Sequence, residues 1–268
     1  MVVPDSRGQT LLAANRVFRH VALLGIASFV SGVLIGGVGG RIVMRISAIA
    51  AGPEMVGRIT ENGNRVGEFT IVGTIILIVF VGGFAGVAGS VMVVGSDPWL
   101  KWMGPLQGLG FGLVALAASG DGSPFNSVDF FLLEPAALNV AMFVGLHFAF
   151  GLTVSGLYWL LDRRLPPAPA DREQVGYLVV SALGGIGLLL VIALFTIPSF
   201  CGCDPDYGFL ALILLVVAST AIRHASTFVK TIPSWLALTA TITGYSSLLL
   251  LLVVGLSRSI DQIQLILQ

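Results

Sequence analysis

Apolar residues fall in long unbroken runs along this chain, separated by short polar stretches, and the runs do not alternate with period two. A membrane-crossing helix needs about 20 mainly apolar residues, whereas a barrel strand alternates over about 10. The pattern therefore predicts helices. Seven segments have the length: 21–41, 69–94, 98–119, 135–161, 175–197, 205–222 and 233–256. Several starts are marked. Asp97-Pro98, Glu134-Pro135 and Asp204-Pro205 set a carboxylate just before a proline at the first helical position, and Ile232-Pro233 opens the last segment likewise. Proline loses no hydrogen bond there, and the carboxylate meets the positive end of the helix dipole.

Between the first two segments, 57–67 reads Gly-Arg-Ile-Thr-Glu-Asn-Gly-Asn-Arg-Val-Gly. Asn-Gly suits a two-residue turn, so a short outer β-hairpin is expected, leaning on the helix ends because two strands alone are marginal. Residues 121–134 are too apolar for a plain loop and too few to span, and are expected to lie along the outer interface. Arg163-Arg164-Leu165-Pro166-Pro167 and the residues after it form a semi-rigid connector. This divides the chain into a four-helix half over 1–161, a cytoplasmic connector over 162–174, and a three-helix half over 175–268 ending in an amphipathic tail.

Composition agrees with the pattern. With 56% hydrophobic and 10% charged residues, the chain cannot cover a soluble domain with polar surface. The expected class is all-α integral membrane protein, multi-pass, in a bacterial-type cytoplasmic (inner) membrane. The formal net charge of zero hides an asymmetry. With the N-terminus inside, nine of the 14 Lys and Arg residues fall on inner segments, which predicts N-in/C-out threading. The first apolar run is too long for a signal peptide, and Arg41 and Arg45 follow it, so it is read as a retained helix.

Small residues form the strongest internal pattern. Ser28, Gly32, Gly36 and Gly40 recur every fourth residue, as do Gly82, Gly86 and Ser90, then Gly104, Gly108 and Gly112, and Ala137, Ala141 and Gly145. Such stripes let helix backbones approach closely. A glycine zipper binding the first four helices is expected, with the Leu- and Val-rich later helices packed more loosely.

Candidate chemistry is sparse. Arg41 and Arg45 share a face at the outer end of the first segment and suit two-point contact with a carboxylate or phosphate. With Glu134 they would line an outer mouth, with His147, near mid-membrane, deeper. These four are the candidate ligand-binding residues. The alternative has the arginines snorkelling to the interface among acidic neighbours, and His147 simply hydrogen-bonded. Trp99, Trp102 and Trp235 fit an aromatic belt at the inner interface. Cys201 and Cys203 are expected to form a small strained disulfide, and their ligand set is incomplete for a metal.

Nucleotide-binding, zinc-protease and CxxC motifs are absent, no lysine stands mid-span for a retinal, and no basic patch suits nucleic acid. No cofactor, metal or catalytic residue is expected. The reading is a non-enzymatic accessory or scaffolding membrane subunit. It contacts lipid, and a protein partner or a second copy through its helices. The alternative is a small-solute or lipid transporter or channel with an arginine-lined outer mouth.

Overall fold

Unbroken apolar runs close their backbone hydrogen bonds within helices, because lipid offers no other partner. The computed structural model describes residues 6–60, 65–68, 70–119, 134–165, 173–197, 206–227, 229 and 232–268. Helix α1, Ser6–Ser31, continues through a π-helical stretch, Gly32–Gly39, into α2, Gly40–Ala50. Helix α3, Ile71–Ile76, passes through a second π-helical stretch, Leu77–Gly82, into α4, Gly83–Leu100. A 3-10 stretch, Lys101–Leu106, leads to α5, Gln107–Ser119. Then come α6, Ala136–Arg164, α7, Glu173–Thr196, α8, Tyr207–Ala225, and α9, Ser234–Leu267.

Six helical stretches among the described residues, not seven, are long and apolar enough to cross a membrane: Leu12–Ala50, Ile71–Ser119, Ala136–Arg164, Val179–Thr196, Tyr207–Ala225 and Ser234–Leu267. The chain fits a multi-pass membrane protein. The second and third expected segments merge because the break lies at Gly104, whose φ of 55° and ψ of −124° leave the helix, and not at Pro98. The 13 residues of α5 rise only about 20 Å at 1.5 Å each, short of a hydrocarbon core of about 30 Å. Beyond Gly104, α5 turns back along α4. Gly110 faces the side chains of Leu100 and Met103, and farther from the turn Val91 and Ala117 share one buried cluster with Leu251.

Bare backbones meet where the helices cross. A Cβ added at Gly32 would stand 2.2 Å from Gly86 Cα, and one at Gly151 would stand 2.2 Å from the Gly108 carbonyl oxygen. The two π-helical stretches also meet, since a Cβ at Gly37 would come within 2.9 Å of Ile78 Cα. Only part of the periodic pattern is used, because Gly40, Gly104 and Gly145 have nothing within 4 Å of an added Cβ. The last helix is no looser: Gly255 lies against the Ala117 carbonyl and Gly244 against the Trp99 ring.

The expected hairpin is corrected. No described residue lies in a strand. One antiparallel bridge joins Ile59 to Arg65, with Gly57 N donating to Val66 O at 3.0 Å and Val66 N to Arg58 O at 2.8 Å. The loop is held by its ends instead of by a ladder: Met55 and Val66 bury against Ala48 and Ala51. The Asn62-Gly63 turn lies outside the described residues, as do 121–133, the connector residues 166–172, and Cys201 and Cys203 with Asp204-Pro205.

Two further expectations change. Residues 259–267 are no free amphipathic tail but the last turns of α9, where Ser259 is buried and Ile266 packs with Leu116 and Val140. Trp99 leaves the aromatic belt for the core at 0% exposure, while Trp102 and Trp235 stay exposed. The main core gathers Leu24, Val93, Trp99, Phe111 and Val154 from α1, α4, α5 and α6.

At its start α8 is capped by Asp206, two residues after the expected Asp204. Its Oδ1 accepts from Phe209 N at 2.9 Å, and Oδ2 pairs with Arg258 of α9. Partial burial opposes the charged form, yet the Phe209 amide and the Arg258 guanidinium hold the Asp206 carboxyl below its ordinary value. A lowered folded value means that this stabilisation is complete above the unfolded value of about 3.9, and is lost as pH falls through the folded one. Thermal unfolding followed across that range is expected to show an acid-side loss that Asp206→Asn reduces. Equal acid profiles for the two proteins would rule the contribution out.

Candidate functional site

The four residues singled out by sequence do not form one site. Arg41 and Arg45, a turn apart on α2, reach into the loop beyond it: Arg41 Nη2 donates to Glu68 O at 3.4 Å and Arg45 Nη1 to Gly67 O at 2.8 Å. Two guanidinium groups thus hold carbonyls that the missing strand ladder leaves over. Glu134 is exposed just ahead of α6. His147 turns back on its own helix, its Nδ1 standing 2.8 Å from the Phe143 carbonyl, so Nδ1 carries the hydrogen. Among the described residues, no three or more His, Cys, Asp and Glu side chains gather as a metal site.

The polar centre lies elsewhere, where Asp97 in the last turn of α4 meets three other segments. Asp97 is 3% exposed. Its Oδ2 receives His20 Nε2 of α1 at 2.8 Å and Lys101 Nζ at 3.3 Å, and its Oδ1 accepts from Gln107 Nε2 of α5 at 3.0 Å. A buried carboxylate needs such company, because an unpaired charge away from water is costly. On its other side, His20 Nδ1 lies 2.7 Å from the Tyr158 hydroxyl of α6, with the two rings edge to face. A second clasp sits beside it: Arg19 Nη1 meets Asp162 Oδ1 at 2.5 Å, and Nη2 donates to Leu165 O at 2.9 Å.

The neighbourhood is built by Trp99, two residues past Asp97. Its indole N–H donates to Thr220 Oγ1 at 2.8 Å, and that hydroxyl donates to Gly95 O at 2.6 Å, tying α8 to α4. Arg223 stacks over the same ring 5.0 Å from its centre, and Tyr245 of α9 meets it edge-on. His224 brings a second imidazole within 6.3 Å of His20, centre to centre. Tyr158, His20 and Asp97 therefore make a continuous hydrogen-bonded array across three helices, with Lys101 exposed at its edge.

The sequence reading passed over this array because Asp97-Pro98 has the form of a helix start. The pair stands in the last turn of a helix instead, where Pro98 removes one i→i−4 hydrogen bond and the helix ends two residues on at Leu100. One signal pointed the right way: Gly104-Pro105, seven residues on, is itself a turn pair. Moving the break there would have left Asp97 inside an apolar segment, and an acid in that setting calls for a partner.

Compared with protein-family models, with curated proteins and with solved structures, this chain matches none of them.

Proposed function

We propose that this chain is a non-enzymatic accessory or scaffolding subunit of a membrane, acting as a tightly packed bundle rather than as a conduit. One observation carries the reading. Among the described residues, a cavity between α4, α5, α8 and α9 measures about 10 Å³ and is bounded by Val91, Gly95, Val114, Ile213, Leu248 and Leu251. That is room for one water at most, whereas small-molecule sites occupy about 300–1,000 Å³. The conduit reading needs Arg41, Arg45, Glu134 and His147 along one wet path. Instead, Arg41 and Arg45 bond loop carbonyls and His147 bonds its own helix.

In this reading the close glycine contacts serve as the zipper that sets the bundle, and lipid covers the apolar exterior. The membrane in this reading is a bacterial-type inner membrane, with the N-terminus on its inner face.

Native mass spectrometry of the protein, gently extracted from its own membrane, tests the function. The expected result is a stoichiometric complex with a protein partner or a second copy, unchanged by Arg41→Ala or Arg45→Ala. A single chain that retains one lipid or solute, and loses it in those variants, would replace the scaffold with the transport reading.

A further inference from the structure

We infer that the end of α6, with the facing turn of α1, is a headgroup site for an anionic phospholipid. Arg163, Arg164 and Arg16 hold the phosphodiester, and Trp159 lies beside it at the membrane interface. The site belongs to scaffold and conduit alike, and requires only that the chain cross a membrane.

Helix length sets the depth. Helix α6 has 29 residues, which rise about 43 Å at about 1.5 Å each. A bilayer measures about 40–45 Å with its headgroup layers, of which about 30 Å is hydrocarbon. The last turn of α6 therefore lies among headgroups. Arg163 and Arg164 occupy that turn, and Trp159, 54% exposed, stands one turn earlier, where an indole suits the interface.

Charge gathers at this level. Arg19 of α1 pairs with Asp162 and also donates to Leu165 O, which brings α1 against the end of α6. Arg16 stands one turn before Arg19 on the same helix face. It is exposed, and its Nε donates only to Leu12 O of its own helix, at 3.4 Å. Arg163 and Arg164 are exposed too. Four guanidinium groups thus surround Asp162, and among the described residues no carboxylate pairs with Arg16, Arg163 or Arg164. The helix dipole favours a cation in the last turn, but it supplies only about half a negative charge. Most of the excess is left for an external anion.

The donors select which anion. A guanidinium fork matches two oxygens of a phosphodiester. The guanidinium carbon of Arg163 stands 3.7 Å over the centre of the Trp159 ring, a stack that uses the face of the cation and leaves its in-plane N–H donors for those oxygens. A zwitterionic headgroup would add its own ammonium to a rim that is already cationic, so a net anionic lipid fits better. Its acyl chains also hold the phosphate at the depth of Trp159, which a soluble phosphate lacks.

Brominated lipids test the site, because bromine quenches indole fluorescence only at close range. The full chain carrying Trp102→Phe and Trp235→Phe retains Trp159, with the wholly buried Trp99 as a constant background. In phosphatidylcholine nanodiscs, a small fraction of chain-brominated phosphatidylglycerol is expected to quench Trp159 more than the same fraction of brominated phosphatidylcholine. The fraction giving half of that quenching should rise about fivefold for each of Arg163→Gln and Arg164→Gln, the weight of one basic residue at an anionic surface. Arg164→Gln carries the test clear of the stack on Trp159. Arg58→Gln, exposed on the loop beyond α2, should leave the fraction unchanged.

Equal quenching by the two brominated lipids overturns the proposal and leaves these arginines to an acidic protein partner. An anionic excess that survives in the double variant Arg163→Gln, Arg164→Gln places the lipid elsewhere and overturns it as well. An equal rise in Arg58→Gln does the same, by reducing the effect to overall charge.

Discussion

Gly32→Ala is expected to abolish most of the folded protein, a large effect for a single methyl group. That methyl would sit 2.2 Å from Gly86 Cα, 2.3 Å from Gly86 N and 2.8 Å from the Gly82 carbonyl oxygen. All three are backbone atoms of the facing helix, so no side chain can swing aside. Ordinary overpacking costs about 1–3 kcal/mol, and prising two backbones apart lies at or beyond the top of that range. The control is Gly40→Ala in the same stripe, where an added Cβ meets nothing within 4 Å. There alanine's better helix propensity is expected to stabilise by up to about 1 kcal/mol. Thermal unfolding of the detergent-solubilised variants separates the two. Equal stability for Gly32→Ala and Gly40→Ala would mean that the close approach of α1 and α4 is absent in the membrane.

Asp97→Ala is the second large effect, expected at about 1–3 kcal/mol, the range for leaving a buried donor without its acceptor. The loss follows from what remains: His20 Nε2–H loses its acceptor and the Gln107 amide keeps only the Asp97 backbone carbonyl at 3.4 Å, while the exposed Lys101 turns to water. Asp97→Asn is expected to fall between, because one carbonyl oxygen survives while the new NH2 points at donors. Lys101→Met in the Asp97→Ala background is expected to recover little, since Lys101 is exposed and water takes the place of Asp97 as its partner. Chemical denaturation of the four proteins measures this cycle. An Asp97→Ala protein within about 0.5 kcal/mol of the parent would put Asp97 in the class of ordinary surface positions.

Local signals read well where the backbone alone decides. The proline at 135 does stand just before α6, which begins at Ala136, and the proline at 233 stands just before α9, which begins at Ser234. The same signal misled at Pro98, because an acid-proline pair looks alike at either end of a helix unless the facing helices are known. Arg41 and Arg45 stand one turn apart on α2, as their spacing implies. What they hold, the carbonyls of Glu68 and Gly67, depends on how the loop packs back. Nothing in the tryptophan spacing separates Trp99 from Trp102, yet one is wholly buried and the other 75% exposed.

From its sequence alone this protein is a multi-pass helical membrane protein, because long runs of apolar residues have a single low-energy solution in lipid. Which glycines carry the close approaches, where the long Ile71–Ser119 stretch turns, and that His20, Asp97 and Tyr158 meet were decided by tertiary structure. These contacts join residues 138 positions apart in the case of His20 and Tyr158, and a buried hydrogen bond leaves no trace in the local pattern of either partner.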